Sequence, residues 1–252
     1  IAARPGTTAR IAIEDVQSRS ALRDIAARRL AAALVDGRAF GIPRVSAHDR
    51  GTGSWCLEEY VPGRHATPAD MRALARDHGV TFYGATARPR PVARWRKVEM
   101  LSTLNDIITR HAPRHRRVAA SEEWLVALCH NDLSPDNVIR DVSGRLWLLD
   151  WERAGLAPVA FDVARMCIEG NGSPAEALHL LAALDRGRAT LTPPRQLALG
   201  LAFCIERARV MRNGRIRTAV VLGGRTESEA VAAYNLRLAR AQSLIAGIAP
   251  LM

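Results

Sequence analysis

The stretch His130-Asn131-Asp132-Leu133-Ser134-Pro135-Asp136-Asn137, of the form H-x-D-x-x-x-x-N, decides how this chain is read. Two short apolar runs flank it, Leu125–Cys129 before and Leu146–Leu149 after, and each ends in a polar cluster. The second run reads as a strand that delivers Asp150, thirteen residues beyond Asn137, followed by Trp151 and Glu152. Twelve residues further comes Phe161-Asp162-Val163-Ala164. Apolar strands that stop on polar residues of this kind bring side chains from separate segments to one cleft.

The residue types suit phosphoryl transfer, in which the protein contributes positioning and charge neutralisation rather than covalent chemistry. Asp132 is the carboxylate suited to face an attacking hydroxyl. Asn137 and Asp150 are hard oxygen ligands of the kind that hold magnesium on nucleotide phosphates. The five-residue gap between Asp132 and Asn137 lets the loop turn back so that both face the cleft. His130 joins Asp132 in the catalytic pair as the brace of the loop, because the aspartate is better placed to take a proton. Asp162 is expected to be a buried acid supporting that loop. Asp136 reads as a turn residue after Pro135. Glu152 reads equally well as a contact to metal or substrate and as an exposed loop acid.

This constellation resembles the superfamily of aminoglycoside phosphotransferases and choline/ethanolamine kinases. The wording Cys129-His130-Asn131-Asp132-Leu133, with LLDWERAG and FDVA after it, is closest to bacterial choline-kinase-like proteins. The resemblance covers about residues 125–170 and extends to Glu58-Glu59-Tyr60-Val61-Pro62-Gly63, which resembles an interlobe hinge. It implies an α+β, protein-kinase-like fold of two lobes: a small β-rich N-lobe over residues 1–60 and a larger, mainly helical C-lobe over 61–252 with the catalytic loop and acceptor pocket. It further implies a cytoplasmic small-molecule kinase that uses ATP and Mg2+ on the hydroxyl of its acceptor. The Glu59 carbonyl and Val61 amide would hold adenine.

Most members of that superfamily contact phosphate with an N-lobe lysine, but Lys97 is the only lysine here and follows the hinge. Choline-kinase-like members use an Arg-Ile pair instead, which Arg10-Ile11 matches, and Asp24 on the next helix would be its acidic partner. Nine residues precede Arg10, fewer than two strands and a covering loop need, so the reading expects an incomplete N-lobe. The alternative role is a catalytically retired kinase fold acting as a binding or regulatory module.

Composition sets the outer bounds. The chain has 252 residues, 48% hydrophobic and 24% charged, enough for a real core and against wholesale disorder. No apolar run reaches the length of a membrane span, and the first residues show no secretory pattern. The formal charge is +11, from 36 basic and 25 acidic residues, all but Lys97 of the basic ones arginine. A nucleic-acid partner is nevertheless not expected, because the basic run Arg110–Arg117 has no interleaved aromatic and reads as a solvated loop between helices. Cys56, Cys129, Cys167 and Cys204 stand apart in apolar contexts and read as buried free thiols. After residue 170 the only aromatics are Phe203 and Tyr234, too few to cage a quaternary ammonium. Residues 171–252 hold 11 arginines against 5 acids, which disfavours polycationic aminoglycosides. A neutral or anionic acceptor is the expectation on charge grounds.

Elsewhere the sequence predicts a β-like segment at Ala9–Ile13 and a helix from Ser20 to about Leu34, with Leu22, Ile25, Ala26, Leu30, Ala33 and Leu34 on one face. Ile42–Val45 and Trp55–Val61 read as a hairpin. Thr67-Pro68-Ala69-Asp70, Ser173-Pro174-Ala175-Glu176 and Thr226-Glu227-Ser228-Glu229 read as helix starts. Helices are also expected over Ala93–Arg110 and from Pro193-Pro194 towards Met211.

Overall fold

The structure, a computed structural model, describes residues 20–34, 40–48, 56–95, 97–221 and 224–252. The segment Ala9–Ile13 with Arg10 lies outside them, as do the 49–53 turn and Trp55. Helix α1 (Ser20–Leu34) leads to an antiparallel pair of β1 (Val45–His48) and β2 (Cys56–Glu58); a hairpin forms as predicted, but its first strand starts at Val45, where the predicted strand Ile42–Val45 ended. A small sheet-containing N-terminal part thus precedes a mostly helical C-terminal part, the kinase-like arrangement the sequence predicts.

The predicted face of α1 needs correction. Ile25, Ala27, Arg28 and Ala31 are buried, whereas Ala26, Leu30 and Ala33 are exposed. The cause is Arg28, which turns inward to form an ion pair with buried Glu58 on β2. A stripe counted on apolar residues alone is therefore rotated from the real one. This pair ties α1 to the strand that enters the 59–62 crossing.

Beyond that crossing, β3 (Gly63–His65) begins a three-stranded antiparallel sheet in the order β3-β6-β7, with β6 (Val138–Asp141) and β7 (Leu146–Leu148). Arg64 and Arg140 sit directly opposite on β3 and β6. Asp70 holds both, at 2.7 and 2.6 Å, and also closes the capping box with Thr67 at the start of α2 (Pro68–Ala73). One buried carboxylate so removes a like-charge repulsion across the sheet and fixes the first turn of a helix. Phe40 and Gly41 reach over from the N-terminal part to this sheet, where Gly41 bridges Trp147 in parallel. A Cβ on Gly41 would stand 2.1 Å from the Trp147 ring, so only glycine permits that approach.

A π-helical turn, Leu74–His78, joins α2 to α3 (Gly79–Gly84). The second sheet has the order β4-β5-β8: β4 (Arg88–Pro91), β5 (Glu123–Cys129) and β8 (Gly155–Pro158). Two prolines are tolerated in β4 because it is an edge strand. The helix predicted over Ala93–Arg110 begins only at Leu101; α4 runs Leu101–His111, after 3-10 turns at Val92–Arg94 and Val98–Met100. The break places Trp95 edge-on to Trp124, Phe161 and Phe203, the aromatic centre of the core. The basic run leads from α4 into β5 rather than into another helix; Arg116 pairs with Glu122 and Arg117 with Asp106.

The remaining helices are α5 (Val159–Glu169), α6 (Pro174–Asp185), α7 (Pro193–Val221) and α8 (Glu227–Ile248). Capping boxes start α6 and α8 at the predicted residues, Ser173 with Glu176 and Thr226 with Glu229. Helix α7 runs well past Met211. At its closest approach to α5, a Cβ on Gly200 would lie 2.1 Å from the Ala160 carbonyl oxygen. Seven residues on, two helical turns along the same face, is Arg207.

Candidate active site

The loop that follows β5 is built around one buried carboxylate. Asp162, in the first turn of α5 and 1% exposed, accepts from the His130 amide at 2.8 Å and the Asn131 amide at 2.9 Å. The Tyr83 hydroxyl on α3 donates to the same carboxylate at 3.1 Å. Burial pushes the Asp162 carboxyl above its ordinary value, opposed by the neighbouring histidine, the two amides and the tyrosine. Burial likewise pushes the Tyr83 hydroxyl and the Cys129 thiol well up, so both stay protonated. Cys129 and Cys167 are buried free thiols, as predicted, while Cys204 is only partly buried.

His130 is fully buried, and both ring nitrogens are engaged. Nε2 lies 2.7 Å from the Leu149 carbonyl, and Nδ1 accepts from the Asp132 amide at 3.3 Å. A carbonyl can only accept, so the hydrogen sits on Nε2, and neither nitrogen is left to act as a base. The ring packs against buried Trp151 at 4.8 Å between centroids.

Two further bonds close the loop. Asn137, at the end of the 3-10 turn Pro135–Asn137, donates from Nδ2 to the Asp132 carbonyl at 2.9 Å, and its own carbonyl accepts from the Leu149 amide at 2.9 Å. Leu149 is therefore held by His130 on one side and by Asn137 on the other, which brings the next residue, Asp150, beside the 130–137 loop. Asn131 and Asp150 take left-handed backbone angles, φ 63° and 58°, a region that Asn and Asp enter more readily than most residues. Hydrogen bonds thus join the segments that bear Asp132, Asn137 and Asp150.

With one Nδ2 hydrogen committed to the Asp132 carbonyl, the orientation of the Asn137 amide is set, and its oxygen is the atom able to ligate a cation. Among the described residues no hydrogen bond or ion pair falls on that oxygen or on the Asp150 carboxylate. Two uncommitted hard oxygens on adjacent segments fit a magnesium ion, which keeps much of its shell for water and phosphate oxygens and needs few protein ligands. Among the described residues there is no group of three or more His, Cys, Asp or Glu that could hold a metal ion.

Asp132 carries a partner that the sequence reading missed. Arg207, on α7, donates from Nη2 to Asp132 Oδ1 at 2.9 Å and from Nη1 to the Asn131 carbonyl. Burial lowers the Arg207 pKa, opposed by the Asp132 charge. The other oxygen, Oδ2, has Arg153 Nε at 3.6 Å. Arg165 on α5 donates to the Leu133 carbonyl at 3.0 Å and pairs with buried Glu169, which Arg237 on α8 also holds. Glu152 is half-exposed, with Arg153 at 3.5 Å.

At the proposed hinge, the Glu59 amide donates to the Arg44 carbonyl at 2.8 Å. No described residue makes a hydrogen bond to the Glu59 carbonyl or the Val61 amide. Of Asp24 only the backbone, within α1, is described.

Residues 8–198 match the phosphotransferase enzyme family (APH). Over 61 residues the chain is 38% identical to Protein LicA of Haemophilus influenzae; the match spans 24% of this chain and 22% of that protein. Among solved structures, an aminoglycoside phosphotransferase from Alicyclobacillus acidocaldarius superposes with a TM-score of 0.53 at 17% identity, covering 96% of this chain and 86% of that one. Choline kinase LicA from Streptococcus pneumoniae gives 0.51 at 14% identity, over 90% of this chain and 84% of the other. At such identities these two likenesses speak for the fold alone, and the match over residues 8–198 takes in most of the chain: it belongs to the phosphotransferase enzyme family.

Proposed function

We propose that the protein is a small-molecule kinase that transfers the terminal phosphoryl group of ATP, bound with Mg2+, to an acceptor hydroxyl. The observation that carries this is the cross-linking of the 130–137 and 149–151 segments through His130, Asn137 and Leu149, with Asp132, Asn137 and Asp150 on the joined loops.

In this reading Asp132 faces the acceptor and takes its proton as the oxygen attacks. A bond forms between that oxygen and the terminal phosphorus, the bridging P–O bond breaks, and ADP leaves. Asn137 Oδ1 and Asp150 hold the magnesium ion, which when bound neutralises charge on the phosphates. Arg207 fixes the Asp132 carboxylate, while His130 and Asp162 fix the backbone that carries it. The Glu59 carbonyl accepts from the adenine amino group and the Val61 amide donates to a ring nitrogen. Arg10 with Asp24 contacts phosphate. Residues 1–60 serve as the nucleotide lobe and 61–252 as the lobe of the catalytic loop and acceptor pocket.

In this reading no nucleic acid takes part and the enzyme works in the cytoplasm. No described helix is long and apolar enough to cross a membrane. The test is acceptor-dependent ADP formation by wild type and Asp132→Ala. The variant should lose turnover yet still bind nucleotide. Full activity in Asp132→Ala would overturn the assignment, and nucleotide binding without turnover on any acceptor would favour the retired, regulatory role.

A further inference from the structure

Helix α7 carries different chemistry on two sides. Arg207 reaches from it to Asp132. At about 100° per residue, Ile205, Arg209 and Arg212 fall within about 40° of the opposite side of the helix. There they line a groove of about 510 Å3 between α7, the last turns of α4 and the middle of α8. That size lies within the range of small-ligand sites, about 300–1,000 Å3. The floor of the groove is apolar: Ile107 and Ile205 are buried, and Leu238 is partly buried against the core.

The charge of the groove has one sign. Arg110, Arg209 and Arg212 line it, and among the described residues no carboxylate does. Among those residues Arg110 and Arg212 make no ion pair, and the one ion pair of Arg209 is a long contact of 3.7 Å to Glu206 on its own helix. Arg209 and Arg212 stand three apart on α7, a spacing at which like charges repel, and an anion seated between them removes that repulsion. Burial and the Arg110 charge hold His111 below its ordinary value, so at neutral pH it adds a hydrogen-bonding ring and no charge. On the far side of Ile205, Tyr234 and Leu238 lies a smaller cavity of about 60 Å3 with Glu169, which Arg165 and Arg237 already hold. Tyr234 forms one wall of the groove, with the Arg212 guanidinium 5.8 Å from its ring centroid, and so sets a flat apolar surface beside the charge. A single-stranded nucleic acid uses a track of charge with successive stacking rings; one tyrosine in one concavity suits a single small ligand.

We propose that this groove is a second binding site, separate from the one around Asp132, and that it takes a small organic phosphate with a flat apolar body. The phosphate lies among Arg110, Arg209 and Arg212, whose guanidinium forks match an oxyanion, and the body lies on Tyr234 and the apolar floor. The site stands on the groove alone and does not depend on the kinase reading.

The test is calorimetric titration of the full chain with 1-naphthyl phosphate, 1-naphthol and inorganic phosphate. The aryl phosphate should bind more tightly than either of its parts, and its affinity should fall with rising salt. Arg110→Gln and Arg212→Gln should each weaken it about ten- to hundredfold, the value of one charge-assisted contact. Both side chains are exposed, so the variants should fold as wild type does. Tyr234→Leu should narrow the gap between the aryl phosphate and inorganic phosphate. No binding of 1-naphthyl phosphate, equal binding of 1-naphthol, or an affinity unchanged in both arginine variants would overturn the proposal. So would a single-stranded RNA oligomer that binds more tightly than the aryl phosphate with the same dependence on Arg110 and Arg212, which would make the groove part of a nucleic-acid surface.

Discussion

Truncating Asp162 tests how the 130–137 loop is held. In Asp162→Ala the amides of His130 and Asn131 and the Tyr83 hydroxyl lose the acceptor they share at 2.8, 2.9 and 3.1 Å. Each buried donor left unsatisfied costs about 1–3 kcal/mol. Asn131 is only half-buried, so water can replace its partner; His130 and Tyr83 are buried, so two donors carry the cost, about 2–6 kcal/mol. Against this stands relief of the carboxyl's own burial, which leaves a net loss of about 2–4 kcal/mol out of a typical total of about 5–15. The variant should therefore fold, with a urea midpoint lower by about 1 M or more, read from tryptophan fluorescence because Trp151 packs on His130. Tyr83→Phe should cost about 1–2 kcal/mol in wild type and almost nothing in the Asp162→Ala background. Because burial raises the Asp162 carboxyl in the folded chain, its contribution is complete below the ordinary value of 3.8 and is lost as pH rises through the raised one. The gap between wild type and variant should accordingly narrow as pH rises. A variant within about 0.5 kcal/mol of wild type, or an equal cost of Tyr83→Phe in both backgrounds, would refute the reasoning.

Three further outcomes follow from other parts of the molecule. Gly41→Ala should destabilise by about 1–3 kcal/mol, seen as a lower melting temperature, since the Trp147 ring that its Cβ would strike is held by Asp141 at 2.8 Å. Arg64, Thr67 and Arg140 hold the Asp70 carboxyl far below its ordinary 3.8, so its stabilisation is present above that pH and is lost as pH falls below it. Asp70→Asn should flatten the acid limb of the stability-pH curve there. Arg207→Gln should lower kcat/KM about tenfold or more, because the Asp132 carboxylate loses the guanidinium that fixes it, and Arg207→Lys should restore part of it; an unchanged kcat/KM would leave Arg207 a purely structural role.

The turn of the 130–137 loop and the helix starts were legible in the sequence because their logic is local. Residue type and spacing along 130–162 suffice to predict a loop that turns back, and the three capping boxes need only four residues each. What it hid depends on partners far away in the chain. Arg207 lies 75 residues from Asp132, on a helix without a motif, and its place is set by the close approach at Gly200. The only sequence signal was an arginine two residues after the apolar stretch Leu197–Ile205, which is weak. Strand β3 is exposed at all three residues and so has no alternation to read; it exists by pairing with β6. Strand β4, Arg-Pro-Arg-Pro, runs against propensity and is permitted by its edge position. The face of α1 was misread because a buried ion pair, not an apolar side chain, sets its rotation.

The most direct test of the central claim is calorimetric titration of MgATP into wild type and Asp150→Asn. Asparagine tolerates the left-handed backbone at this position, so the variant removes the charge without straining the turn. The account predicts nucleotide binding that depends on magnesium in wild type and loses that dependence in the variant. Equal binding by the two proteins, or magnesium-independent binding by wild type, would contradict it.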